Sequence, residues 1–290
     1  MLDLREYNFA VSKLRQFFTT KGFVEVPVQS RLSILAACED PVTISQFKFN
    51  NEIWPLPQTG QMWLEYELLK NPDIPGVFCI STSYRDEQHP IPGRHDMIFP
   101  MFEFESRGDM QDLIALEKEL LVYLGFSSQM QELNYSDVAK LYGVKTLEAD
   151  HETKMATDFS PIVFLTNFPF ASHPFWNMKH CGNNLFSKVD VIIHGMETIG
   201  SAERSCDTEG MRENFYRVSH GQYAERLFCM FGRERVETEL NNYLNLPMVP
   251  RFGAGIGITR VVRALREEGI IKQDKVTRST FSIEQTLLVK

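Results

Sequence analysis

The chain is predicted to fold as an α+β domain in which helices flank an antiparallel β-sheet. Two observations carry that reading. Strand-like segments, some alternating apolar and polar residues with period two, are mixed with amphipathic helical stretches and follow no regular strand–helix–strand order. No internal repeat, low-complexity tract or Gly/Ser/Pro-rich linker divides the 290 residues, so a single domain over 1–290 is expected.

The elements follow in order. Residues 6–20 have helical spacing and lead into a strand-like GFVEV at residues 22–26. Residues 44–49 alternate as a half-buried strand does. After a turn at Thr59-Gly60, residues 62–69 return to helical spacing. Residues 77–85 and 98–106 read as two strands joined by a Pro-, Gly- and His-rich loop over 86–97. Residues 109–124 form an amphipathic helix with Asp109 as its N-cap. Residues 128–157 carry the weakest pattern and are expected as a small helical insertion. PIVFLTNFP and KVDVIIHGMETI are again strands, and residues 209–231 and 234–244 are helices. The run at 253–257 reads as a glycine-rich strand that feeds a helix over 258–266.

Composition narrows the class. With 43% hydrophobic and 23% charged residues the chain is globular in type, and 22 phenylalanines point to an aromatic core. No apolar run approaches the ~20 residues of a membrane span. The N-terminus has no charged-then-apolar layout of a signal peptide. Five scattered cysteines without a C-x-x-C pair argue against a disulfide framework or a zinc site, and a cytoplasmic location is expected. A net charge of -8 counts against a dedicated nucleic-acid binder, although a local basic patch is compatible with it.

Three constellations carry chemistry. The first is Tyr84-Arg85-Asp86-Glu87, then Arg94-His95, Phe99 and Glu103-Phe104-Glu105. An arginine can fork onto a phosphate, and an aromatic face can stack on a purine. The second is Asp190, Glu197 and Arg204, spaced by seven; two carboxylates suit Mg²⁺, which completes its shell with phosphates and water. The third, RFGAGIGITR at residues 251–260, has alternate glycines that leave room for a flat ligand near the backbone. It lacks the Lys-Ser/Thr of a phosphate-binding P-loop and the strand-plus-acid unit of a dinucleotide fingerprint. Each constellation alone reads as well as solvated charge or structural ion pairs.

Taken in order, however, GFVEV, YRDE…RH…F…E and the glycine strand ending in Ile-Thr-Arg resemble motifs 1, 2 and 3 of class II aminoacyl-tRNA synthetases. PLPQTGQMWLE and VDVIIHGMETIGSAER are similar to the substrate and metal segments of the subgroup for Asp, Asn and Lys. The match runs over roughly residues 5–265. It implies a role for each matched residue. Arg85 would grip the α-phosphate of ATP and the amino-acid carboxylate. Glu87 would accept from the adenine amino group, with Phe99 stacked on the ring. Arg94 or His95 would meet the γ-phosphate, and Arg260, beyond Gly257, would cover the ring and touch the terminal phosphates. Asp190 and Glu197 would hold Mg²⁺. Gln61 and Glu103 would take the substrate ammonium, and Arg204 its side-chain carbonyl or carboxylate. The resemblance also implies a homodimer paired through motif 1 and the first helix.

Selectivity follows from what stands beside Gln61. Aspartate-using relatives carry a lysine three residues on, where this chain has Leu64, followed by Glu65. A glutamate accepts from an amide and repels a carboxylate, so asparagine is expected over aspartate. The chain departs from the pattern at Pro27, which directly follows Val26 where the usual proline position is Gln29, and at Ile98 and Met101. Motif 1 begins near residue 22, so the subgroup's anticodon-binding barrel is expected to be absent. Two alternatives stay open: a free-standing paralogue, such as an AMP-forming asparagine synthetase or a ligase with a non-tRNA acceptor, and an inactive synthetase-derived binding protein. The missing lysine counts against asparagine synthesis, and the retained arginines and acids count against inactivity.

Overall fold

The computed structural model describes residues 2–28, 32–34, 41–172 and 175–272. Helix α1 (Leu4–Thr20) starts where Asp3 accepts from the Arg5 amide at 2.8 Å. Strand β1 (Val24–Glu25) follows; Gln29 lies outside the described residues. β2 (Gln46–Phe49) and β3 (Glu52–Pro55) pair as a separate two-stranded sheet, and β2 is mostly exposed rather than half-buried. α2 (Gln61–Lys70), β4 (Gly76–Tyr84), β5 (Ile98–Arg107) and α3 (Met110–Leu124) come next, α3 with a capping box between Asp109 and Asp112.

Residues 128–157 are more ordered than their pattern predicts. They form β6 (Met130–Asn134), α4 (Tyr135–Tyr142) and α5 (Ala149–Asp158), and β6 joins the main sheet by pairing parallel with β7 (Ile162–Pro169). KVDVIIHGMETI is not one strand. His194 and Gly195 take positive φ of 48° and 76° and turn it into a hairpin of β9 (Leu185–Ile193) and β10 (Met196–Arg204), beside the short β8 (His180–Gly182). The helix expected over 209–231 likewise breaks at Ser219, His220 and Gly221, all with positive φ, into α6 (Thr208–Arg217) and α7 (Gln222–Phe231). α8 (Arg233–Leu244), β11 (Arg251–Gly257) and α9 (Ile258–Glu267) are the last of the described elements.

The nine-stranded sheet runs β1-β4-β5-β11-β10-β9-β7-β6, with β8 on β9; the β1–β4 and β6–β7 pairs are parallel and the others antiparallel. One face packs on α1, α3 and α9 through Phe102, Phe104, Ala254, Ile256, Val189 and Val191. Phe18 of α1 sits among aromatic neighbours there, with ring centroids 4.7 Å from Phe104 and 5.0 Å from Phe102. The alternation of the strands sends the intervening polar residues to the opposite face.

One acid is buried on the helix side. Glu117 of α3 has no hydrogen-bond partner on either carboxyl oxygen, the nearby Ser201 hydroxyl donating to the Val189 carbonyl instead, and burial pushes its pKa up to about 8. The folded chain thus holds this proton more tightly than the unfolded chain, and stability is lost as pH rises from about 4.5 to about 8. Glu117→Gln should stabilise the protein at pH 8, by up to ~3 kcal/mol, and have little effect at pH 4. Thermal melts at the two pH values check this; an equal shift at both would sink it.

Candidate active site

Sheet register sets the site. On the face away from α1, α3 and α9, Met101 stands across from Gly257; Glu103 from Gly255, then Gly200 and Asp190; and Glu105 from Gly253, then Ala202 and Lys188. Small residues on the middle strands leave space for long side chains at both flanks. The sequence predicts that this space awaits a flat ligand, but over Gly253 it is filled by protein. A Cβ there would collide with the Glu105 carboxylate. Over Gly255 lie Met101 Cε and Gln61 Nε2, 2.6 and 3.7 Å from where a Cβ would stand. Gly257 makes only ordinary contact with the Arg260 side chain.

At one end of this face α2 contributes Gln61 and Glu65, both buried. Arg204, at the end of β10, donates from Nε to Glu105 Oε1 at 3.0 Å and from Nη2 to Gln61 Oε1 at 2.8 Å. Glu105 Oε2 has no hydrogen-bond partner, and burial, opposed by Arg204, pushes this acid up to about 8. Glu65 does not stand free to meet a substrate amide. Asn177 Nδ2 donates to its Oε1 at 2.7 Å, while the Tyr243 hydroxyl and Arg251 Nη2 donate to its Oε2 at 2.6 and 2.8 Å. Leu64 points away, into a small apolar cluster with Val77 and Cys79.

Glu103 occupies the centre. It accepts from the Gly60 amide at 2.8 Å and from the Thr59 and Ser81 hydroxyls. Burial raises its pKa, and those donors, with the charge of Arg85, act against that rise. Arg85 leaves the end of β4 with its guanidinium 5.4 Å above the Phe99 ring, so the expected purine platform is covered by this arginine. Glu87 and His95 pair with each other at 2.6 Å within the 86–97 loop.

At the far end Arg260 donates to the Glu197 carbonyl at 2.8 Å and to the Arg94 carbonyl at 3.4 Å. Arg94 pairs with Glu152 of α5 at 2.6 Å. Glu197 Oε1 and Asp190 Oδ1 both approach Gly200, 2.9 and 3.8 Å from where its Cβ would stand. Burial lifts Asp190 to about 7 despite the Lys188 ammonium 2.8 Å from Oδ2, and Oδ1 is left without a hydrogen-bond partner. Burial also works against the Glu197 charge, but Arg260, Lys188 and Arg85 together hold its pKa below the ordinary value. Among the described residues no three His, Cys, Asp or Glu side chains converge as a metal group. A two-carboxylate site with an orphaned, buried oxygen fits a hard cation that brings phosphates as its other ligands.

Several participants have no sequence assignment. Glu105 was open to inference, because it stands two residues from Glu103 on the same strand face. Arg251 opens the glycine-rich motif without a role read from it, and Tyr243, Asn177 and Glu152 carry no local signal, since their charged partners Glu65 and Arg94 lie far away along the chain.

A sheet of this order, with paired arginines around two carboxylates, defines the catalytic core of a class II aminoacyl-tRNA synthetase. The family model of class II tRNA synthetases (D, K and N) matches residues 3–274, and the chain belongs to that family. It is 21% identical over 279 residues to the aspartate–tRNA(Asp) ligase of Pyrobaculum aerophilum, covering 87% of this chain and 61% of the ligase. In fold it is similar to asparaginyl-tRNA synthetase from Pyrococcus horikoshii complexed with asparaginyl-adenylate, with a TM-score of 0.75 and 19% identity over 91% of this chain and 65% of that one. The Entamoeba histolytica asparaginyl-tRNA synthetase in complex with asparaginyl-adenylate gives 0.72 at 17% identity, over 91% and 64%. The chain therefore spans somewhat under two thirds of the length of these relatives. No described helix is long and apolar enough to cross a membrane.

Proposed function

We propose that the protein activates an amino acid, asparagine in preference to aspartate, as its aminoacyl-adenylate with release of pyrophosphate from ATP, in the manner of an asparaginyl-tRNA ligase. The observation that supports this best is the placement of Arg85 and Arg260 around Glu197 and Asp190, with Gln61, Glu103 and Arg204 on the same face. The amino-acid carboxylate is itself the nucleophile. Its oxygen attacks the α-phosphorus, the bond to the β-phosphate oxygen breaks, and no general base is required. Arg85 stabilises the charge on the α-phosphoryl oxygens, and Arg94 and Arg260 bind the terminal phosphates. Asp190 and Glu197 would hold Mg²⁺, which when bound would neutralise phosphate charge.

The preference for asparagine rests on charge balance. Arg204 and Arg251 face Glu65 and Glu105 in one buried group. With Glu105 ionised, an added carboxylate would leave that group with an excess anion, whereas a carboxamide adds no charge. Its oxygen can accept from Arg204, and its NH₂ can donate to the free Oε2 of Glu105. With Glu105 raised to about 8, the sign of the pH effect follows. Below that value the protonated acid leaves a net cation that tolerates aspartate; above it the ionised acid rejects aspartate. Pyrophosphate exchange should therefore favour asparagine by about tenfold or more at pH 9, where Glu105 is ionised, and by less at pH 7. A clear preference for aspartate would overturn the reading and favour the asparagine-synthetase alternative. Adding tRNA or ammonia to the same assay then identifies the acceptor.

A further inference from the structure

The segment 128–157 carries no synthetase motif, yet one of its side chains reaches the phosphate end of the candidate site. Helix α5 lies against the β9–β10 turn. A Cβ on Gly195 would stand 2.8 Å from Thr153 Cα, so helix backbone and turn are in direct contact. From this helix Glu152 Oε2 accepts from Arg94 Nη2 at 2.6 Å and from the Glu197 main-chain N–H at 2.9 Å. Arg94 Nη1 also donates to the Gly195 carbonyl at 3.3 Å. Arg260 closes the arrangement from the other side, on the carbonyls of Glu197 and Arg94.

Such geometry differs from an exposed ion pair, whose two long side chains are free to part. Glu152 and Arg94 are mostly buried, with side chains 21% and 17% exposed. One carboxylate oxygen bridges a loop guanidinium and a strand amide, so moving the loop breaks a charge-assisted bond in a partly desolvated place. Burial and the neighbouring Glu197 raise the Glu152 pKa, while the Glu197 amide and Arg94 oppose that rise.

We infer that Glu152 is a positioning residue: it fixes Arg94 and the Glu197 main chain, and so holds the 86–97 loop against the β9–β10 hairpin in register for the ATP phosphates. Glu152 touches no reacting atom. The inference rests on the ATP-binding reading of this face, and its first test is independent of that reading.

In the ligand-free protein, Glu152→Gln should speed amide hydrogen exchange in residues 86–97 by about tenfold, the scale of one charge-assisted hydrogen bond, and leave α4 unchanged. An unchanged loop in a folded variant overturns the inference, whatever the protein binds. The second test is equilibrium dialysis with ATP and Mg²⁺, followed by steady-state exchange. The Kd and KM for ATP should rise about tenfold in Glu152→Gln, with kcat within about threefold and the melting temperature little altered. Tighter ATP binding, or a kcat loss at constant KM, counts against it. In an Arg94→Gln background the same change should add little, because the two residues act as one unit. If the wild-type protein binds no ATP, the functional reading fails while loop exchange still judges the role of Glu152. Should Glu152→Gln not fold, Arg94→Gln removes the other half of the pair and must loosen the same loop.

Discussion

Arg85→Ala is expected to lower amino-acid-dependent ATP–pyrophosphate exchange by ~10²-fold or more while the protein stays folded, since loss of one charge-stabilising donor costs about that much in transition-state energy. Arg85 supports this through its surroundings. It follows the last residue of β4, half-buried, with its guanidinium over Phe99 and its Nε 3.4 Å from the Ser83 hydroxyl. Its charge acts on both Glu103 at the centre of the site and Glu197 at the metal end. Among the described residues it forms no ion pair, and Glu103 keeps its Gly60, Thr59 and Ser81 donors without it, so the fold should survive. Circular dichroism controls for folding, and exchange rates at saturating amino acid give the effect. A rate within threefold of wild type would remove Arg85 from the chemistry, and with it the assignment of residues 84–103 as the phosphate-binding hairpin.

Glu65 should act on stability instead. Its carboxylate is fully buried and takes Arg251, Tyr243 and Asn177 as donors, with Arg204 Nε 3.8 Å away. Glu65→Ala leaves two buried guanidinium groups facing one remaining acid, Glu105, and removes the acceptor of four hydrogen bonds. Breaking a buried pair from one side costs ~3–5 kcal/mol, because the surviving charge is neither solvated nor balanced. Glu65→Gln keeps the shape and one carbonyl acceptor and should cost less, in the order wild type, Gln, Ala. Urea unfolding of the three proteins measures this ladder. A Glu65→Ala variant as stable as wild type, with altered amino-acid selectivity, would show that Glu65 reads the substrate after all.

The two arginine–glutamate pairs also show where sequence reasoning stops. Leu64-Glu65 stands next to Gln61 in a segment that resembles the family's substrate-binding stretch, and adjacency along the chain made Glu65 the expected amide acceptor. A helix sends neighbouring side chains in different directions. Gln61 and Glu65 share a face, yet Glu65, one turn further on, reaches Arg251 and Tyr243 of later elements while Leu64 turns into apolar packing. The acid left beside Arg204 with an unpaired oxygen is Glu105, 99 residues distant in sequence. The breaks in KVDVIIHGMETI and in residues 209–231 were missed for a different reason. His-Gly and Ser-His-Gly are weak turn signals inside strongly periodic surroundings, and the positive φ at His194, Ser219 and His220 leaves no mark on the hydrophobic period.

By itself, the sequence determined the family, the α+β class, most element positions and several of the residues that meet on one face of the sheet. Those features are written locally, in hydrophobic period, caps, turn residues and short motifs whose chemistry needs particular side chains at fixed spacing. Only the tertiary structure decided which partner each charged group takes. Cross-strand register places Glu105 over Gly253 and beside Arg204, and the docking of α5 on the β9–β10 turn brings Glu152 to Arg94. A buried charge is tolerated where a counter-charge or a set of hydrogen-bond donors stands within reach. That condition is met across the sheet and between layers, at separations along the chain that no local pattern spans.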